Sequence, residues 1–594
     1  MLSVAKRTLE ILLTIGFISL TGAILLAWNS PATGYETSIY YSTPSGAWAC
    51  FSVSVISSII ATVGSLYFLK EKENKLWIPA LVLITLCCVF VLSLYIIRNY
   101  TALGIAGDGG THLGYIKDIM HGHLNYPMLS YPVTHVIIAG IAWVLKVDPL
   151  VPAKLITPVF GALYILFIYL LARNLFRSTR AAALITLLAA CTFFGLPFLV
   201  PNNLADLTLP LAVLIVFKSF SKSWKWKVLL LAVLAIFTLF HQLTALVAFA
   251  ALATALLAQL IAKKQIPWFH AAVLVFVVTW FVAWQWIHIH NTAETIIPTS
   301  GTETSLYGFS TEASHLNRIS AQIQFASEHG YNVVEYFLKR YGVLLALLVL
   351  SLVAFPALLK SQSWKLLSLY GLFVATGIMI IILLFTNISF GPFRLTSYLL
   401  ITSVVFAGFF IHTCMKYMGR KLWITICIPV FLISIAYASV AAVYPSPYML
   451  NDNLQNTQQE FNGIQWLIQN KDSNTDLAGW HFPIHRYTDY FWGIQQSDSI
   501  RLSTSSEYAI QLPAHLGYDK HNIVGGNFKV RTYIVITELV RRHYIDVAPN
   551  LVEFGFAPEE LAKLDADSST DKIYDAGELD IWYVYGEQPC ESVS

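Results

Sequence analysis

The chain has 594 residues, of which 56% are hydrophobic and 12% are charged, and its mean hydropathy is +0.62. This composition excludes an ordinary soluble protein and indicates a polytopic membrane protein. The apolar runs are long enough for helices of about 20 residues and lack the alternation of an outer-membrane barrel, so we predict transmembrane α-helices. The net charge is only +3 and no basic patch alternates with aromatic residues, which argues against a nucleic-acid partner.

Lysine and arginine predict the orientation of these helices, because short cytoplasmic loops are enriched in both. Basic clusters such as "KEKENK", "RNLFRSTR" and "KSQSWK" are therefore assigned to the cytoplasm. From a cytoplasmic N-terminus we predict about 13 crossings, near residues 8–28, 46–69, 76–97, 155–172, 181–199, 204–217, 227–241, 243–262, 268–287, 342–359, 366–385, 395–413 and 422–443. The apolar run 133–147 would span only about 22 Å, so we predict that it is re-entrant or half-buried.

These assignments divide the chain into three parts and place its C-terminus outside the cytoplasm. Residues 1–75 form a predicted N-terminal transmembrane hairpin, residues 76–443 a larger transmembrane domain, and residues 444–594 a soluble domain. The external side also receives the loops 98–132 and 288–340. The predicted fold class is an α-helical polytopic protein of the cell membrane with an extracytoplasmic C-terminal α/β domain.

The C-terminal part differs from the rest in composition, with polar and acidic residues between short apolar strings. The strings "YIVITELV" and "LDIWYVY" are typical of strands, and "NTQQEFNGIQWLIQN" is typical of a helix. The stretch "GWHFPIHRYTDYFWG" carries Trp480, Tyr487, Tyr490 and Trp492. These rings either stack on sugar rings or pack in a small core, and packing is the more common use of such residues.

The loop 98–132 holds many titratable residues beside the predicted hydrocarbon zone, in "GDGGTHLGYIKDIMHGH". Such groups are costly unless they face water or a polar ligand, so they are functional candidates. Asp108 lies in the "GDGG" turn, whose glycines let the backbone bend tightly and approach a ligand. From Thr111, apolar residues at helical spacing predict an amphipathic surface helix with Thr111 as its N-cap. Asp108 would then stand at the lip of a cavity, or would only cap this helix.

The same loop, its helix "HLGYIKDI" and the following Tyr131 and Pro132 resemble the GT-C superfamily of polyprenyl-phosphate-dependent glycosyltransferases, especially its archaeal and bacterial members. The run "VDPLVPAKLITPVFGALYILFIYLLARNLF", an external acid in "PNNLAD" and an arginine in "GPFRLTSY" extend the resemblance over about residues 76–413. It implies a GT-C-like transmembrane bundle followed by an external C-terminal domain. The two spans before Lys75 are extra to that layout.

The resemblance implies a transferase that moves a sugar from a polyprenyl- or dolichyl-phosphate donor to a glycan, lipid or protein acceptor outside the cytoplasm. Membrane lipids would be its other partners. Such a reaction needs a carboxylate to take the proton of the acceptor hydroxyl and cations to stabilise the departing phosphate. Asp108 matches the first-loop acid of the family and is the predicted base. Asp206 matches the second-loop acid and would orient the acceptor or bind a metal, with helix capping as the alternative.

Five further external residues are candidates for substrate binding, namely Glu36, His112, His241, Arg340 and Arg394. Arg394 would grip a lipid phosphate, with Arg340 and its neighbour Lys339 as secondary ligands, and snorkelling toward the membrane interface is the alternative for all three. The two histidines would bind sugar hydroxyls or phosphate. Glu36 belongs to the extra N-terminal hairpin and is alternatively a structural loop residue.

The sequence leaves the metal requirement and one competing function open. The histidines show no zinc spacing such as HExxH. Some GT-C members coordinate a divalent ion with acids of the first two loops and others do not, so a need for Mg²⁺ or Mn²⁺ is undecided. The loop 288–340 would cover the cavity as a lid or shape the acceptor site, with a passive surface loop as the alternative. The alternative function is a transporter or flippase, which would favour ionisable groups near the membrane midplane rather than at the external ends of spans.

Overall fold

The computed structural model describes residues 2–69, 75–123, 129–264, 267–288, 314–360, 363–387, 391–417, 422–472, 475–480, 482–497 and 510–586. The described chain is mostly helical. Its longer helices are α1 (Leu2–Trp28), α2 (Ser45–Phe68), α3 (Trp77–Leu92), α4 (Gly110–Met120), α5 (Val133–Leu145), α6 (Leu150–Leu175), α7 (Thr179–Cys191), α8 (Pro201–Ser219), α9 (Trp224–Phe240), α10 (Gln242–Lys263), α11 (Trp268–Ile287), α12 (His315–Glu328), α13 (Val333–Val353), α14 (Trp364–Leu384), α15 (Thr396–Tyr417), α16 (Leu422–Val440), α17 (Gln458–Asn470), α18 (Ile484–Trp492) and α19 (Pro558–Asp565).

Eight helices of the described chain are long and apolar enough to cross a membrane, and four shorter apolar helices accompany them. Each predicted crossing overlaps one of the helices given above, so the chain is a multi-pass membrane protein, while the number of crossings stays a prediction. The apolar run predicted to be half-buried forms the 13-residue helix α5. At about 20 Å this helix is too short to span the hydrocarbon core.

The transmembrane helices pack closely around α7, which is buried without interruption from Ala181 to Cys191. A Cβ atom at Gly408 of α15 would lie 2.7 Å from Ile185 Cγ1 of α7, so a glycine is needed for this close approach. Small residues at helix contacts let the backbones approach in this way. Helix α6 packs on α7 and on α8, and α8 packs on α9 and α10. This arrangement fixes α8, which carries Asp206.

The C-terminal part contains a four-stranded sheet in the order β3-β4-β6-β5. The strands are β3 (Asp476–Gly479), β4 (Thr532–Thr537), β5 (Thr570–Asp575) and β6 (Leu579–Val584). β3 runs parallel to β4, and the other two pairs are antiparallel. The two predicted strands and the predicted helix α17 are therefore confirmed. Thr457 and Glu460 form a capping box at the start of α17, which explains where that helix begins.

Several contacts join the C-terminal part to the loop that carries Asp108, among them a strand pairing and a shared hydrophobic core. The first is a short ribbon in which β1 (Ala102–Leu103) pairs antiparallel with β2 (Gln455–Asn456). The second is a shared hydrophobic core, in which Leu113 and Ile116 of α4 cluster with side chains of α17 and of β4. Because β4 is buried on both faces, its alternate residues enter two different cores. Helix α4 therefore packs against the C-terminal part through this shared core.

Candidate functional site

Asp108 lies in the tight turn Ile105–Gly109, directly before α4. Gly104 opens the turn in the left-handed region, with φ of 81°, which favours glycine. A Cβ atom at Gly109 would lie 2.7 Å from the Gly104 carbonyl oxygen, and one at Gly110 would lie 2.4 Å from the carbonyl oxygen of Arg486. These glycines thus allow close backbone packing, partly against the C-terminal part. A Cβ atom at Gly107 would meet no atom within 4 Å, and the predicted approach of this backbone to a ligand stays a prediction.

The carboxylate of Asp108 is largely exposed and is held by an arginine from the C-terminal part. Arg486 Nη2 donates to Asp108 Oδ1 at 2.8 Å, and 65% of the aspartate side chain is exposed. No side-chain hydrogen bond caps α4, and Thr111 lies inside that helix, which begins at Gly110. The predicted N-cap is therefore wrong, because the hydroxyl of Thr111 instead accepts from Arg486 Nη1. The described contacts likewise give Asp108 no capping role.

His112, four residues after Asp108, belongs to a buried cluster of rings. Its Nδ1 lies 3.1 Å from His135 Nε2, and His135 Nδ1 lies 3.2 Å from the carbonyl oxygen of Tyr131. Burial lowers the pKa of His112 to about 3, so this imidazole is neutral at neutral pH. A carbonyl only accepts, so His135 Nδ1 carries its proton and His135 Nε2 accepts from His112 Nδ1. This assignment leaves His112 Nε2 as a hydrogen-bond acceptor.

Asp206 is buried near the start of α8 and is tied to the helices that follow. Thr244 Oγ1 donates to Asp206 Oδ1 at 2.9 Å and lies 2.9 Å from the hydroxyl of Tyr398. His241, at the junction of α9 and α10, places Nδ1 3.1 Å from the same threonine oxygen. The ring of His241 also lies 5.9 Å from the ring of Tyr131, between centroids. Hydrogen bonds therefore connect Asp206 to His241 through Thr244, and the ring of His241 contacts the histidine cluster at Tyr131.

A cavity of about 700 Å³ opens beside Asp206. Three cationic side chains line it, those of Lys339, Arg340 and Arg394. Arg394 lies in the turn Pro392–Leu395 before α15. The adjoining Phe393 stacks on Tyr341 of α13, with ring centroids 5.2 Å apart, which fixes this turn against that helix. The structure thus brings three of the predicted residues, Asp206, Arg340 and Arg394, around a single space.

Tyr131 links the cavity to the Asp108 turn through its electrostatic surroundings. Burial raises the pKa of its phenol, the charge of Asp108 raises it further, and the charges of Arg394 and Arg486 oppose the rise. The charges of Asp108, Arg394 and Arg486 therefore all act on the phenol of Tyr131. Asp108 itself does not line the cavity among the described residues.

Glu36 lies in a separate, structural network. Both of its carboxylate oxygens are engaged, one by the guanidinium of Arg98 and the other by the hydroxyl of Tyr100 at 2.6 Å. Arg98 is fully buried. Asn453 Nδ2 also donates to the Glu36 carbonyl oxygen at 2.6 Å. These contacts favour the structural alternative for Glu36 over its predicted substrate-binding role.

The aromatic residues of the C-terminal part are used mainly for packing. Trp480 and Tyr487 are buried, and Tyr490 stacks on Phe461 with ring centroids 4.9 Å apart. The loop 288–340 is helical in its second half, in α12 and the start of α13, and its residues 289–313 lie outside the described part. The predicted lid role of that loop therefore stays a prediction.

Several residues of the site were not predicted from the sequence as members of it, among them Tyr131, His135 and Arg486. Tyr131 was part of the quoted "YP" pair, and His135 is a polar residue inside the apolar run "VTHVIIAG". A single histidine inside an apolar run is the signal in the sequence that could have identified His135. Arg486 stands in the aromatic stretch that suggested sugar stacking, where no local pattern identifies its partner. Across the described residues, no group of three or more His, Cys, Asp or Glu side chains is placed to hold a metal ion.

Residues 127–284 match the family model described as dolichyl-phosphate-mannose-protein mannosyltransferase. This match confirms the resemblance to GT-C membrane glycosyltransferases. Among solved structures, the chain is similar to ArnT from Cupriavidus metallidurans in the apo state, with a TM-score of 0.46 and 12% identity, and bound to undecaprenyl phosphate, with a TM-score of 0.45 and 13% identity. Each alignment covers 86% of this chain and 99% of that chain. No curated protein matches the chain in sequence.

Proposed function

We propose that this chain is a membrane glycosyltransferase that takes a sugar from a polyprenyl-phosphate donor and attaches it to a glycan, lipid or protein acceptor outside the cytoplasm. One observation supports the proposal most directly: Lys339, Arg340 and Arg394 line the same cavity as Asp206. Much of the remaining lining is apolar and comes from α13 and from the segments that follow α7 and α16, with Phe193, Phe198, Val343 and Val443 among these residues. Cations beside apolar walls suit a phosphate that carries a lipid chain.

In this proposal the three cations bind and stabilise the phosphate of the donor. A phosphate is a good leaving group once its charge is compensated, so the bond between the anomeric carbon and the phosphate oxygen breaks without a strong general acid. Arg394 offers a planar fork for two phosphate oxygens, and Lys339 and Arg340 add charge. The products are the glycosylated acceptor and the free polyprenyl phosphate.

Asp108 is the proposed base. As the acceptor oxygen attacks the anomeric carbon, its proton passes to a carboxylate oxygen of Asp108. The carboxylate is exposed and stands next to the buried histidine cluster, so an acceptor can reach it. His112 Nε2, as an acceptor of hydrogen bonds, and His241 would orient hydroxyl groups of the substrates. Asp206 would orient the acceptor or the sugar from the cavity wall.

The arrangement of the chain in the membrane is part of the proposal. Residues 76–443 would form the catalytic transmembrane domain, residues 1–75 an additional hairpin, and residues 444–594 an extracytoplasmic domain above the site. The site would then face the outer side of the cell membrane. No step of the proposed mechanism uses a metal ion, and a need for Mg²⁺ or Mn²⁺ is a separate prediction that chelation followed by ion replacement would test.

The proposal is tested by comparing lipids and surface glycans of cells that contain the wild-type protein or the Asp108→Asn variant at equal membrane abundance. Asp519→Asn is a matched control, because Asp519 is an exposed aspartate of the C-terminal part. We expect the Asp108 variant to accumulate a sugar-charged polyprenyl phosphate and to lose one glycan residue. The control should resemble the wild type.

Unchanged lipids and glycans in the Asp108 variant would contradict the assignment of Asp108 as the base. If deletion of the whole gene also left both unchanged, the glycosyltransferase function itself would be wrong. A transporter or flippase would instead alter the distribution of a lipid-linked or polar substrate across the membrane without altering the covalent product made from it.

A further inference from the structure

Helix α18 lies against the turn of Asp108 although the two are far apart in the chain. Arg486 Nη2 donates to Asp108 Oδ1 at 2.8 Å, and Arg486 Nη1 donates to Thr111 Oγ1 at 2.8 Å. Thr111 Oγ1 in turn donates to Asp489 Oδ2 at 2.6 Å. Arg486 and Asp489 are three residues apart and face the same side of α18. One guanidinium therefore holds both Asp108 and the first turn of α4.

The close approach of α18 to α4 depends on two glycines of α4. A Cβ atom at Gly110 would lie 2.4 Å from the Arg486 carbonyl oxygen, and one at Gly114 would lie 2.9 Å from the Asp489 carbonyl oxygen. Any other residue at these positions would push the helices apart. Lys117 Nζ donates to two carbonyl groups at the C-terminal end of α18. The position of Arg486 over Asp108 is therefore set by backbone packing.

We infer that Arg486 is a positioning residue for Asp108, so that the C-terminal part completes the active site. This inference rests on the proposed function. An aspartate whose side chain is 65% exposed is free to change rotamer in water, whereas Arg486, at 27% exposed, is anchored by its second bond to Thr111. The arginine fixes Oδ1, and no described residue donates to Oδ2, which is left to take the proton.

The inferred role of Arg486 predicts an effect of its loss on turnover but not on donor binding. Arg486 acts through Asp108, whereas the donor phosphate is assigned to the cations around the cavity. Misplacing a reacting group by about 1 Å costs on the order of a hundredfold in rate. Loss of Arg486 should therefore lower the turnover number and leave the donor concentration for half-saturation nearly unchanged.

The test uses the full-length protein in lipid nanodiscs. The donor probe is the polyprenyl-phosphate lipid fraction extracted from cells that carry the Asp108→Asn variant, and membrane vesicles from those cells supply the acceptor. Wild type, Arg486→Ala and Arg486→Lys are compared, with Arg542→Ala as the control. Arg542 is an arginine of the C-terminal part whose Nε donates to Glu538 at 2.8 Å, so the control also loses an ion pair. Thermal unfolding verifies the folding of each variant.

We expect Arg486→Ala to lower turnover by about 30- to 100-fold, with half-saturation by donor within about threefold of the wild type. Millimolar guanidinium should restore part of the turnover of Arg486→Ala and have no effect on Arg542→Ala. Arg486→Lys should fall between, because lysine offers a point charge and not the fork that joins Asp108 to Thr111. If Arg486→Ala does not reach the membrane, the turnover of Arg486→Lys tests the inference instead. A turnover of Arg486→Lys equal to that of the wild type would overturn it.

Two other results would also overturn it. Full turnover in Arg486→Ala would show that Asp108 needs no positioning, and a large rise in half-saturation at constant turnover would make Arg486 a donor ligand instead. If the wild-type protein itself did not consume the lipid fraction, the proposed function would be wrong. An active wild type with an equally active Arg486 variant would instead contradict only the positioning role of Arg486.

Discussion

Thr244 Oγ1 donates a 2.9 Å hydrogen bond to Asp206 Oδ1, which joins α10 to α8 at the wall of the cavity. The threonine oxygen also lies 2.9 Å from the Tyr398 hydroxyl oxygen and 3.1 Å from His241 Nδ1, and Tyr398 and Ser397 are further hydrogen-bond partners of Asp206. Asp206 is therefore held in one orientation before any substrate binds, which is the condition for a group that orients a reactant.

The first prediction concerns this pair. Asp206→Asn should lower kcat/KM for transfer by about 10- to 100-fold, since a hydrogen bond to a charged group contributes about 1.5–3 kcal/mol. Thr244→Val should have a smaller effect in the same direction. Thr254→Val is the control, because Thr254 lies on the same helix and its hydroxyl bonds Ala251 in the preceding turn. Steady-state kinetics on the purified variants would measure this, and equal rates in all three variants would refute it.

The second prediction concerns the phosphate site. Arg394→Ala should raise the donor concentration for half-saturation by about 10- to 100-fold, and Arg394→Lys should raise it less, because the charge is kept but the fork is lost. Arg531→Ala, at an exposed position of the C-terminal part, should leave donor binding unchanged. Donor titration in nanodiscs would show the difference. If donor binding were intact in Arg394→Ala, the arginine would be a snorkelling residue of the membrane interface.

The third prediction separates the two interpretations of Glu36. Arg98 is buried beside it, so Glu36→Ala leaves an uncompensated charge in the interior and should destabilise the protein by about 3–5 kcal/mol. Glu10→Ala breaks an exposed pair with Lys6 at 3.8 Å and should cost less than about 1 kcal/mol. Thermal unfolding in detergent compares the two. A stable Glu36→Ala protein with weakened substrate binding would restore the binding role.

The fourth prediction concerns pH. Burial lowers the pKa of His112 from 6.5 to about 3, with Arg486 and His241 contributing. Between these values the unfolded chain binds a proton that the folded chain does not, so stability falls as the pH falls. One such histidine accounts for about 2 kcal/mol lost between pH 7 and pH 5.

The variant His112→Gln should therefore lose less stability on acidification than the wild type does. His121→Gln is the control, because His121 lies at the end of the same helix with an exposed ring. Unfolding free energies at pH 7 and pH 5 provide the measurement. An identical pH dependence in wild type and His112→Gln would show that His112 is not kept neutral by the fold.

The sequence by itself determined the membrane class and the helices, because hydropathy is a local sum over about 20 neighbouring residues. It also identified Asp108, Asp206 and Arg394 as candidates, since ionisable groups beside apolar runs stand out without any knowledge of packing. The strands β4 and β6 were likewise found from local patterns. Glu36 was found by the same rule, but the rule does not distinguish a site from a buried ion pair.

Only the tertiary structure decided which of these residues meet. Arg486 and Asp108 are 378 positions apart, and their contact depends on glycines that let α18 approach α4. The histidine cluster and the cavity similarly join residues from helices that are distant in the chain. Such contacts follow from how the helices and the C-terminal sheet pack against one another, and packing is a property of the whole chain that no local pattern contains.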